Sequence, residues 1–182
     1  MKFTETAFPG AYIVELEPRG DDRGFFVRTF CKDEFKQTGH SAEWVQQNQS
    51  FTLKKGTIRG LHFQRAPQNE IKLIRCIVGR VYDVIVDLRK DSPTFLKWTA
   101  MELSADNNIM LYVPAGFAHG FQTLEDNSAL TYLHSDYYNP AADAGIRYND
   151  PRIGIEWPME VTVLSEKDQQ IPYINNEFFE KL

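Results

Sequence analysis

The chain has 182 residues, of which 42% are hydrophobic and 25% charged, and it carries a net charge of −5 at neutral pH. This composition predicts one globular domain spanning residues 1–182, and the acidic balance gives no electrostatic reason to expect nucleic-acid binding. No stretch approaches roughly eighteen consecutive apolar residues, so no membrane-spanning helix is expected. Cys31 and Cys76 lie far apart without a Cys-x-x-Cys motif, and the first residues lack the features of a signal peptide. Both observations favour a reduced, cytoplasmic protein.

One helix and many short strands are predicted along the chain. The helix covers residues 32–38 (KDEFKQT) and ends before Gly39, a residue that commonly stops helices. The predicted strands, separated by turn residues, span residues 12–16, 25–30, 44–49, 57–63, 73–78, 81–88, 98–103, 110–113, 120–124 and 129–134. Such a pattern indicates an all-β sandwich or barrel with little helix. The proline-rich segment from Asn139 onward is expected to wrap the barrel rather than to form a second domain.

An acidic residue interrupts one of these strands. In residues 81–87 (VYDVIVD), strand alternation places Asp83 on the same face as Ile85 and opposite to Val84. A carboxylate in mid-strand beside an apolar side chain needs a partner. We therefore expect Asp83 to be paired inside the fold.

Two segments each bring a histidine into a strand. Residues 55–63 (KGTIRGLHF) contain Arg59 and His62, which strand alternation places on opposite faces, and residues 116–121 (GFAHGF) contain His119. Metal sites in such barrels normally use a His-x-His pair, a Glu shortly after it and a third His on a later strand. His62 is followed by Phe and Gln, and the other two histidines, His40 and His134, lie outside both segments. No bound metal is therefore predicted.

His62 has a second possible use, as a catalytic base, because the pKa of histidine lies near neutral pH. A lone histidine in a strand is more often a structural hydrogen-bond partner, but here cations and phenols lie on neighbouring predicted strands. They are Arg59, Lys72, Arg75, Tyr132, Tyr137 and Tyr138. If they face a barrel mouth, they would suit an anionic ligand such as a diphosphate sugar. Each also has a structural explanation, and residues 165–168 (SEKD) have the pattern of an exposed helix N-cap.

Ordered blocks of the sequence resemble the dTDP-4-dehydrorhamnose 3,5-epimerase family, a cupin family of nucleotide-sugar enzymes. The blocks are residues 22–26 (DRGFF), 56–64 (GTIRGLHFQ), 72–75 (KLIR), 82–89 (YDVIVDLR), 91–94 (DSPT), 113–121 (VPAGFAHGF), 149–151 (NDP), 154–158 (GIEWP) and 164–168 (LSEKD). The resemblance runs over essentially the whole chain. It implies a double-stranded β-helix (cupin or jelly-roll barrel), a homodimer with one active site in each barrel, a nucleotide-diphosphate sugar as substrate, and no cofactor.

The resemblance also implies roles for individual residues. It makes His62 the proton acceptor, Asp168 the carboxylate that orients it, Tyr132 the general acid and Lys72 the cation that steadies the enolate oxygen. Arg59 and His119 would contact the sugar and the diphosphate. The full set of implied substrate contacts is Arg23 (from a partner subunit), Phe26, Arg28, Gln47, Asn48, Arg59, His119, Tyr138 (stacked on the base), Asp143 and Lys167.

These residue types suit the implied chemistry. The ketone of a 4-keto-6-deoxy sugar acidifies the hydrogens on both flanking carbons, so that a base on one face can remove a proton and leave an enolate. A nearby cation stabilises that charge, and an acid on the opposite face returns a proton with inverted configuration. His62 and Tyr132 would supply the two groups.

The sequence departs from the family pattern where the nucleotide is expected to bind. The usual Arg-Gly-Phe-Phe-x-Glu ends here in Arg28, the usual Gln-Asp-Asn-His-Ser is residues 46–50 (QQNQS), and a usual Glu is Asp143. Thymine offers an N–H that suits an acceptor, whereas cytosine offers a bare nitrogen that suits a donor. Arg28 could therefore favour a CDP sugar, contact a phosphate, or point to solvent beside a thymine.

Alternative functions remain open at this level. One is a relative that inverts a single carbon, at position 3 or 5, or that acts on a CDP-linked 4-keto-6-deoxy sugar. Another is a ketoisomerase, which the presence of both His62 and Tyr132 disfavours. A non-enzymatic sugar-binding cupin predicts loss of the base or the acid, and neither is lost.

Overall fold

Two antiparallel sheets form the body of the computed structural model, which describes residues 1–68 and 70–182. The strands are β1 (Lys2–Glu5), β2 (Tyr12–Glu15), β3 (Arg19–Asp21), β4 (Gly24–Phe26), β5 (Gln46–Thr52), β6 (Ile58–Gln64), β7 (Lys72–Val78), β8 (Arg80–Asp87), β9 (Trp98–Ser104), β10 (Ile109–Val113), β11 (Phe117–Thr123), β12 (Ser128–His134) and β13 (Asp143–Gly145). One sheet has the order β1-β2-β10-β7-β12-β5 and the other β13-β6-β11-β8-β9, while β3 and β4 form a separate hairpin. The helices are α1 (Lys32–Phe35), continued by a 3₁₀ turn (Lys36–Thr38), α2 (Glu166–Gln170) and α3 (Asn176–Glu180).

The alternation of strand β8 shows where the core lies. Val81 and Ile85 pack between the two sheets, in a cluster that also contains Ile74 and Leu130 of the facing sheet. Val84 and its neighbours on the other face of β8 pack into a second cluster outside the five-stranded sheet. Side chains of the C-terminal segment cover this second cluster, among them Ile146, Ile153, Trp157, Ile174 and Phe178. The prediction that the last part of the chain wraps the barrel is therefore confirmed.

A third cluster holds helix α1 against the outside of the six-stranded sheet, where Phe35 is fully buried beside Met110 and Tyr112. The helix and its 3₁₀ extension end at Gly39, whose φ of 75° lies in the left-handed region that favours glycine. The predicted helix over residues 32–38 is confirmed at both ends. No helix among residues 1–68 and 70–182 has the length and apolar character needed to cross a membrane.

A β-bulge places the two motif histidines opposite each other. His62 on β6 is the register partner of His119 on β11, and Arg59 is the partner of Phe121, so two residues of β6 lie against one residue of β11. Gly60 has a φ of 121°, and a Cβ atom there would lie 2.6 Å from the Cα of Gly120. Because the bulge shifts the alternation by one residue, Arg59 and His62 point to the same side. The prediction that they lie on opposite faces is wrong.

Asp87 is the last residue of strand β8, and its fully buried carboxylate accepts hydrogen bonds from the turn that follows. Its oxygens accept hydrogen bonds from the backbone N–H and guanidinium of Arg89 and from the hydroxyls of Ser92 and Thr94, at 2.6–3.0 Å. Burial raises the pKa of Asp87, but these hydrogen bonds outweigh it and hold the pKa below its usual value. The carboxylate is therefore ionised at neutral pH and anchors the chain reversal.

We expect Asp87→Asn to lower the free energy of unfolding at neutral pH by about 1–3 kcal/mol, because the neutral amide cannot accept all the hydrogen bonds that the buried carboxylate accepts. A group whose folded pKa is lowered stabilises the fold above its unfolded pKa, roughly 3.9 for aspartate, and this stabilisation disappears as the pH falls through the folded pKa. Urea unfolding of both proteins should thus give a large difference at pH 7 that shrinks toward pH 3. A difference of the same size at both pH values would contradict this account.

Candidate active site

A cavity of about 670 Å³ opens between the two sheets and receives side chains from both. Its volume is within the range of small-molecule sites. The five-stranded sheet contributes residues of β6 and β11, the six-stranded sheet residues of β5, β7 and β12, and helix α2 contributes Lys167 and Asp168. Eight residues predicted from the sequence line this cavity, namely Asn48, Arg59, His62, Lys72, His119, Tyr132, Lys167 and Asp168.

His62 and Asp168 form a hydrogen-bonded pair on one wall of the cavity. The Nε2 atom of His62 lies 2.7 Å from Oδ1 of Asp168, whose side chain is only 5% exposed, and the backbone N–H of Gly60 points to the other carboxylate oxygen at 3.4 Å. Burial raises the pKa of Asp168, but the hydrogen bond and charge of His62, with the N–H of Gly60, outweigh it and lower the pKa. An ionised Asp168 accepts a hydrogen bond from the N–H at Nε2, so that Nδ1 carries no hydrogen when His62 is neutral. This is the state that a base requires.

The capping pattern of residues 165–168 and the pairing of Asp168 coexist. Ser165 is the N-cap of helix α2, and its hydroxyl accepts the backbone N–H of Asp168 at 3.1 Å. The capping interpretation is therefore confirmed for Ser165. The cap is not exposed at Asp168, however, because the first turn of the helix delivers that carboxylate to His62 in the barrel.

Tyr132 stands on the facing sheet, between two histidines. Its ring centroid lies 6.2 Å from that of His119 and 6.0 Å from that of His134, and its hydroxyl lies 2.9 Å from the hydroxyl of Ser50. Burial raises the pKa of the Tyr132 phenol well above its usual range, although Ser50 opposes the shift. Tyr132 thus holds its proton at neutral pH and can donate it to a ligand in the cavity.

His119 is fixed by a buried carboxylate. Its Nε2 atom lies 3.0 and 2.9 Å from the two oxygens of Asp83, which is fully buried in the middle of β8. This confirms the prediction that Asp83 needs a partner inside the fold. The pair fixes the orientation of the His119 ring at the cavity wall.

Three cations reach the cavity, each held by an oxygen acceptor. Arg59 contacts the carbonyl of Phe51 at 3.3 Å, and the ammonium of Lys72 lies 3.5 Å from the carbonyl of His62. Lys167 also lines the cavity and is ion-paired with Asp143. Three positive groups in one cavity suit a ligand with a diphosphate and a developing negative charge.

The other predicted substrate contacts do not line the cavity of a single chain. Arg23 and Phe26 lie on the β3–β4 hairpin. The side chain of Arg23 is 89% exposed and pairs with Asp21 of its own turn, and Phe26 is 76% exposed. Arg28 pairs with Glu34 at 2.8 Å. The remaining two, Tyr138 and Asp143, lie beside Lys167, and the hydroxyl of Tyr138 donates to the carboxylate of Asp143 at 3.4 Å.

Gln47 also lies away from the cavity. On β5, alternation sends Asn48 and Ser50 into the cavity and Gln47 to the opposite face of the sheet, where it adjoins Leu73 and Arg75. Gln46 shares the face of Asn48, and its side-chain oxygen accepts the backbone N–H of Tyr138 at 3.3 Å. Neither Gln46 nor Gln47 is among the residues that line the cavity.

Several cavity residues escaped the sequence analysis. His134 and Ser50 line the cavity, and each lies two residues from a residue that was singled out, Tyr132 and Asn48, so strand alternation could have found them. Glu70, which binds His134 and Lys72 from behind, lies just before β7 and carries no comparable signal. Among residues 1–68 and 70–182, no three His, Cys, Asp or Glu side chains are grouped as a metal site would require.

A histidine paired with a carboxylate on one wall, a protonated phenol on the other and cations in the same cavity define an enzyme that moves protons, within a two-sheet β-barrel. The family model described as dTDP-4-dehydrorhamnose 3,5-epimerase matches residues 5–176. The chain is 44% identical over 173 residues to the enzyme of that name from Salmonella typhimurium (strain LT2). The aligned region covers 94% of each of the two chains. The chain therefore belongs to the dTDP-4-dehydrorhamnose 3,5-epimerase family, and it is an isomerase.

Solved structures give the same answer for the fold. The dTDP-4-dehydrorhamnose 3,5-epimerase from Bacillus anthracis str. Ames, with TDP and PPi bound, superposes with a TM-score of 0.92 and 46% identity, covering 95% of this chain and 99% of that one. The epimerase from Legionella pneumophila Philadelphia 1, in complex with dTDP-4-keto-L-rhamnose, gives 0.90 and 36%, covering 97% and 96%. The predicted all-β cupin fold and epimerase class are confirmed.

Proposed function

We propose that this chain inverts carbons 3 and 5 of dTDP-4-dehydro-6-deoxyglucose, with His62 as the base and Tyr132 as the acid. The observation that carries the proposal is the placement of the His62–Asp168 pair and the protonated Tyr132 on opposite sheets of one cavity. Similarity to the Salmonella enzyme supports the choice of dTDP sugar. The runner-up, inversion of a single carbon, would use the same residues.

The first half of the reaction removes a proton. Nδ1 of His62 takes the hydrogen of a carbon beside the ketone, the electron pair of that C–H bond becomes the new C=C bond, and the carbonyl oxygen becomes an enolate. Asp168 stabilises the resulting imidazolium, and the ammonium of Lys72 stabilises the enolate oxygen. The burial of Asp168, whose side chain is 5% exposed, strengthens its attraction for the imidazolium.

The second half returns a proton to the opposite face. The enolate collapses to the ketone as its carbon takes the phenolic proton of Tyr132, and the phenolate is reprotonated through Ser50, 2.9 Å away, from water. His62 loses its proton to solvent, which resets the site. Repetition at the second flanking carbon gives the 3,5-epimer. No step in this sequence needs a redox cofactor, because the substrate and product have the same oxidation state.

We further propose that two copies form a homodimer in which the β3–β4 hairpin of one copy reaches the cavity of the other. On this hairpin Phe25 is 65% exposed and Phe26 is 76% exposed, and Arg23 lies at the turn. Exposed aromatic rings of this kind are common at protein interfaces. Two cysteines without a disulfide, Cys31 and Cys76, support a cytoplasmic location.

The product test for this function is direct. Purified protein is incubated with dTDP-4-dehydro-6-deoxyglucose, and the sugar products are identified by NMR. The proposal expects a species inverted at both carbons. A product inverted at one carbon would move the assignment to a single-carbon epimerase, and unchanged substrate would leave the sugar-binding alternative.

We expect Arg28 not to shift the substrate preference of the enzyme from the dTDP sugar to the CDP sugar. Its guanidinium is engaged by Glu34 of its own chain, which also binds the N-terminal amine, so it is held away from the role of a donor to cytosine. We expect the wild type to give a higher kcat/KM with the dTDP sugar than with the CDP sugar. Arg28→Glu and the distant control Arg152→Glu should both keep that preference. A wild-type preference for the CDP sugar that Arg28→Glu reverses would contradict this view.

A further inference from the structure

One buried carboxylate next to the cavity has no part in the proton transfers. The side chain of Glu70 is 11% exposed, and its two oxygens bind different partners. Oε1 lies 2.6 Å from Nδ1 of His134, and Oε2 lies 3.3 Å from the ammonium of Lys72. Both partners are as enclosed as Glu70, with side chains 10% and 12% exposed.

The contacts continue across the sheet from Glu70 to strand β5. Nε2 of His134 lies 3.3 Å from the side-chain nitrogen of Asn48. Lys72 and His134 are register partners on β7 and β12, and Asn48 lies on β5, the neighbour of β12. Glu70 is thus the centre of a connected set of four side chains, of which Lys72, His134 and Asn48 line the cavity.

Glu70 is held in its ionised form. Burial raises its pKa, but the hydrogen bond to His134 and the charge of Lys72 outweigh burial, so that the pKa lies below the usual value. An ionised carboxylate can only accept hydrogen bonds. The nitrogen of His134 that faces it, Nδ1, must therefore carry a hydrogen.

A fixed tautomer of His134 has a consequence for Asn48. When neutral His134 carries its hydrogen on Nδ1, Nε2 is an acceptor, and the amide of Asn48 must turn its N–H group toward it. The carbonyl oxygen of Asn48 then remains for the ligand. A carbonyl oxygen accepts from a hydroxyl, whereas an ionised diphosphate offers no hydrogen to donate.

We propose that Glu70 is a positioning residue that turns the Asn48 amide, through His134, to accept a sugar hydroxyl and that holds the Lys72 ammonium in place beside the enolate oxygen. This inference rests on the proposed function for its kinetic consequence. The tautomer of His134 is independent of it. Asn48 therefore selects the hydroxyl-bearing end of the substrate, and Lys72 is aimed at the reacting end.

The first arm of the test reads the tautomer. Nitrogen NMR of the ¹⁵N-histidine-labelled wild type distinguishes hydrogen on Nδ1 from hydrogen on Nε2, and the His134 signals are assigned as those absent from His134→Gln. We expect neutral His134 to carry its hydrogen on Nδ1. In Glu70→Gln, whose side-chain amide can donate to Nδ1, the hydrogen should move to Nε2. A wild type with the hydrogen on Nε2 would overturn the proposal, even if the protein is an active epimerase.

The second arm measures epimerisation of dTDP-4-dehydro-6-deoxyglucose. Glu70→Gln should raise KM, because Asn48 presents the wrong group, and lower kcat, because Lys72 loses its anchor, with kcat/KM down about tenfold or more. The matched control Glu102→Gln, which removes an exposed ion pair with Arg80, should change neither. Thermal unfolding checks that the variants are folded, and His134→Gln, which should raise KM, serves if Glu70→Gln does not fold.

The two proposals fail in different ways. A folded Glu70→Gln with wild-type kcat and KM would overturn the positioning role while leaving the epimerase function intact. An inactive wild type with hydrogen on Nδ1 of His134 would instead overturn the function and the kinetic half of the inference, and would leave the tautomer half standing.

Discussion

His62→Ala is expected to stop deuterium incorporation from D₂O at both carbons that flank the ketone. The imidazole is the only base that the account assigns to either carbon, so its loss should remove exchange and inversion together. A positioned general base contributes roughly 10²–10⁴-fold, and the rate should fall by at least that factor. The measurement is NMR of the sugar signals during incubation with the dTDP substrate.

Asp168→Asn is expected to slow the same deuterium exchange without abolishing it. The amide keeps the shape of the carboxylate but cannot stabilise an imidazolium, and it can donate to Nε2 and thereby leave the hydrogen on Nδ1, the nitrogen that should be free. We expect a slow but measurable exchange. Gln169→Ala, the next residue of helix α2 and exposed, is the control and should behave as the wild type. Rapid exchange in folded His62→Ala would show that another group removes the proton.

Tyr132→Phe is expected to separate exchange from inversion. Without the phenol no acid remains on the far face, but His62 can still remove a proton and return a deuteron to the same face. Deuterium should therefore enter with retained configuration, while the epimerised product falls by about 10²-fold or more. Both are read from the same NMR spectra, as loss of the proton signal and as appearance of the product signals.

The control for Tyr132→Phe is Tyr12→Phe, which removes a phenol from β2, outside the residues that line the cavity. It should invert the sugar at the wild-type rate. Inversion at that rate by Tyr132→Phe itself would mean that the second proton comes from elsewhere, such as ordered water or Ser50. Loss of exchange together with inversion would mean that Tyr132 acts in the first half of the reaction.

Much of the architecture followed from local pattern. The alternation of residues 81–87 predicted both packed faces of β8, and Gly39 predicted the end of the helix, because each depends on neighbours in the chain. The strands that were not predicted, β1, β3 and β13, have three or four residues each. Segments so short show no period, and their backbone hydrogen bonds to a partner strand define them instead.

The site was predicted less evenly than the fold. The catalytic roles of His62, Tyr132 and Asp168 came from the resemblance, and the structure brings all three side chains into one cavity. The common orientation of Arg59 and His62 was missed, because it depends on the bulge at Gly60, a tertiary contact with Gly120 that alternation does not express.

The network around Glu70 was missed for a similar reason. Its members come from the loop before β7, from β12 and from β5, and only sheet register brings them together. The hairpin that carries Arg23 differs, because the resemblance predicted a substrate contact there from a partner subunit. In a single chain, Arg23 lies outside the residues that line the cavity.

The central claim is that one base and one acid invert both carbons that flank the ketone. The most direct test is to determine how many deuterium atoms the wild type introduces from D₂O into dTDP-4-dehydro-6-deoxyglucose, and at which carbons. If one solvent-exchanging base and one solvent-exchanging acid serve both carbons, the inverted product should contain one deuterium at carbon 3 and one at carbon 5, and none at carbons that do not flank the ketone. Product that keeps its original hydrogen at either inverted carbon, or a substrate that takes up no deuterium, would contradict the account.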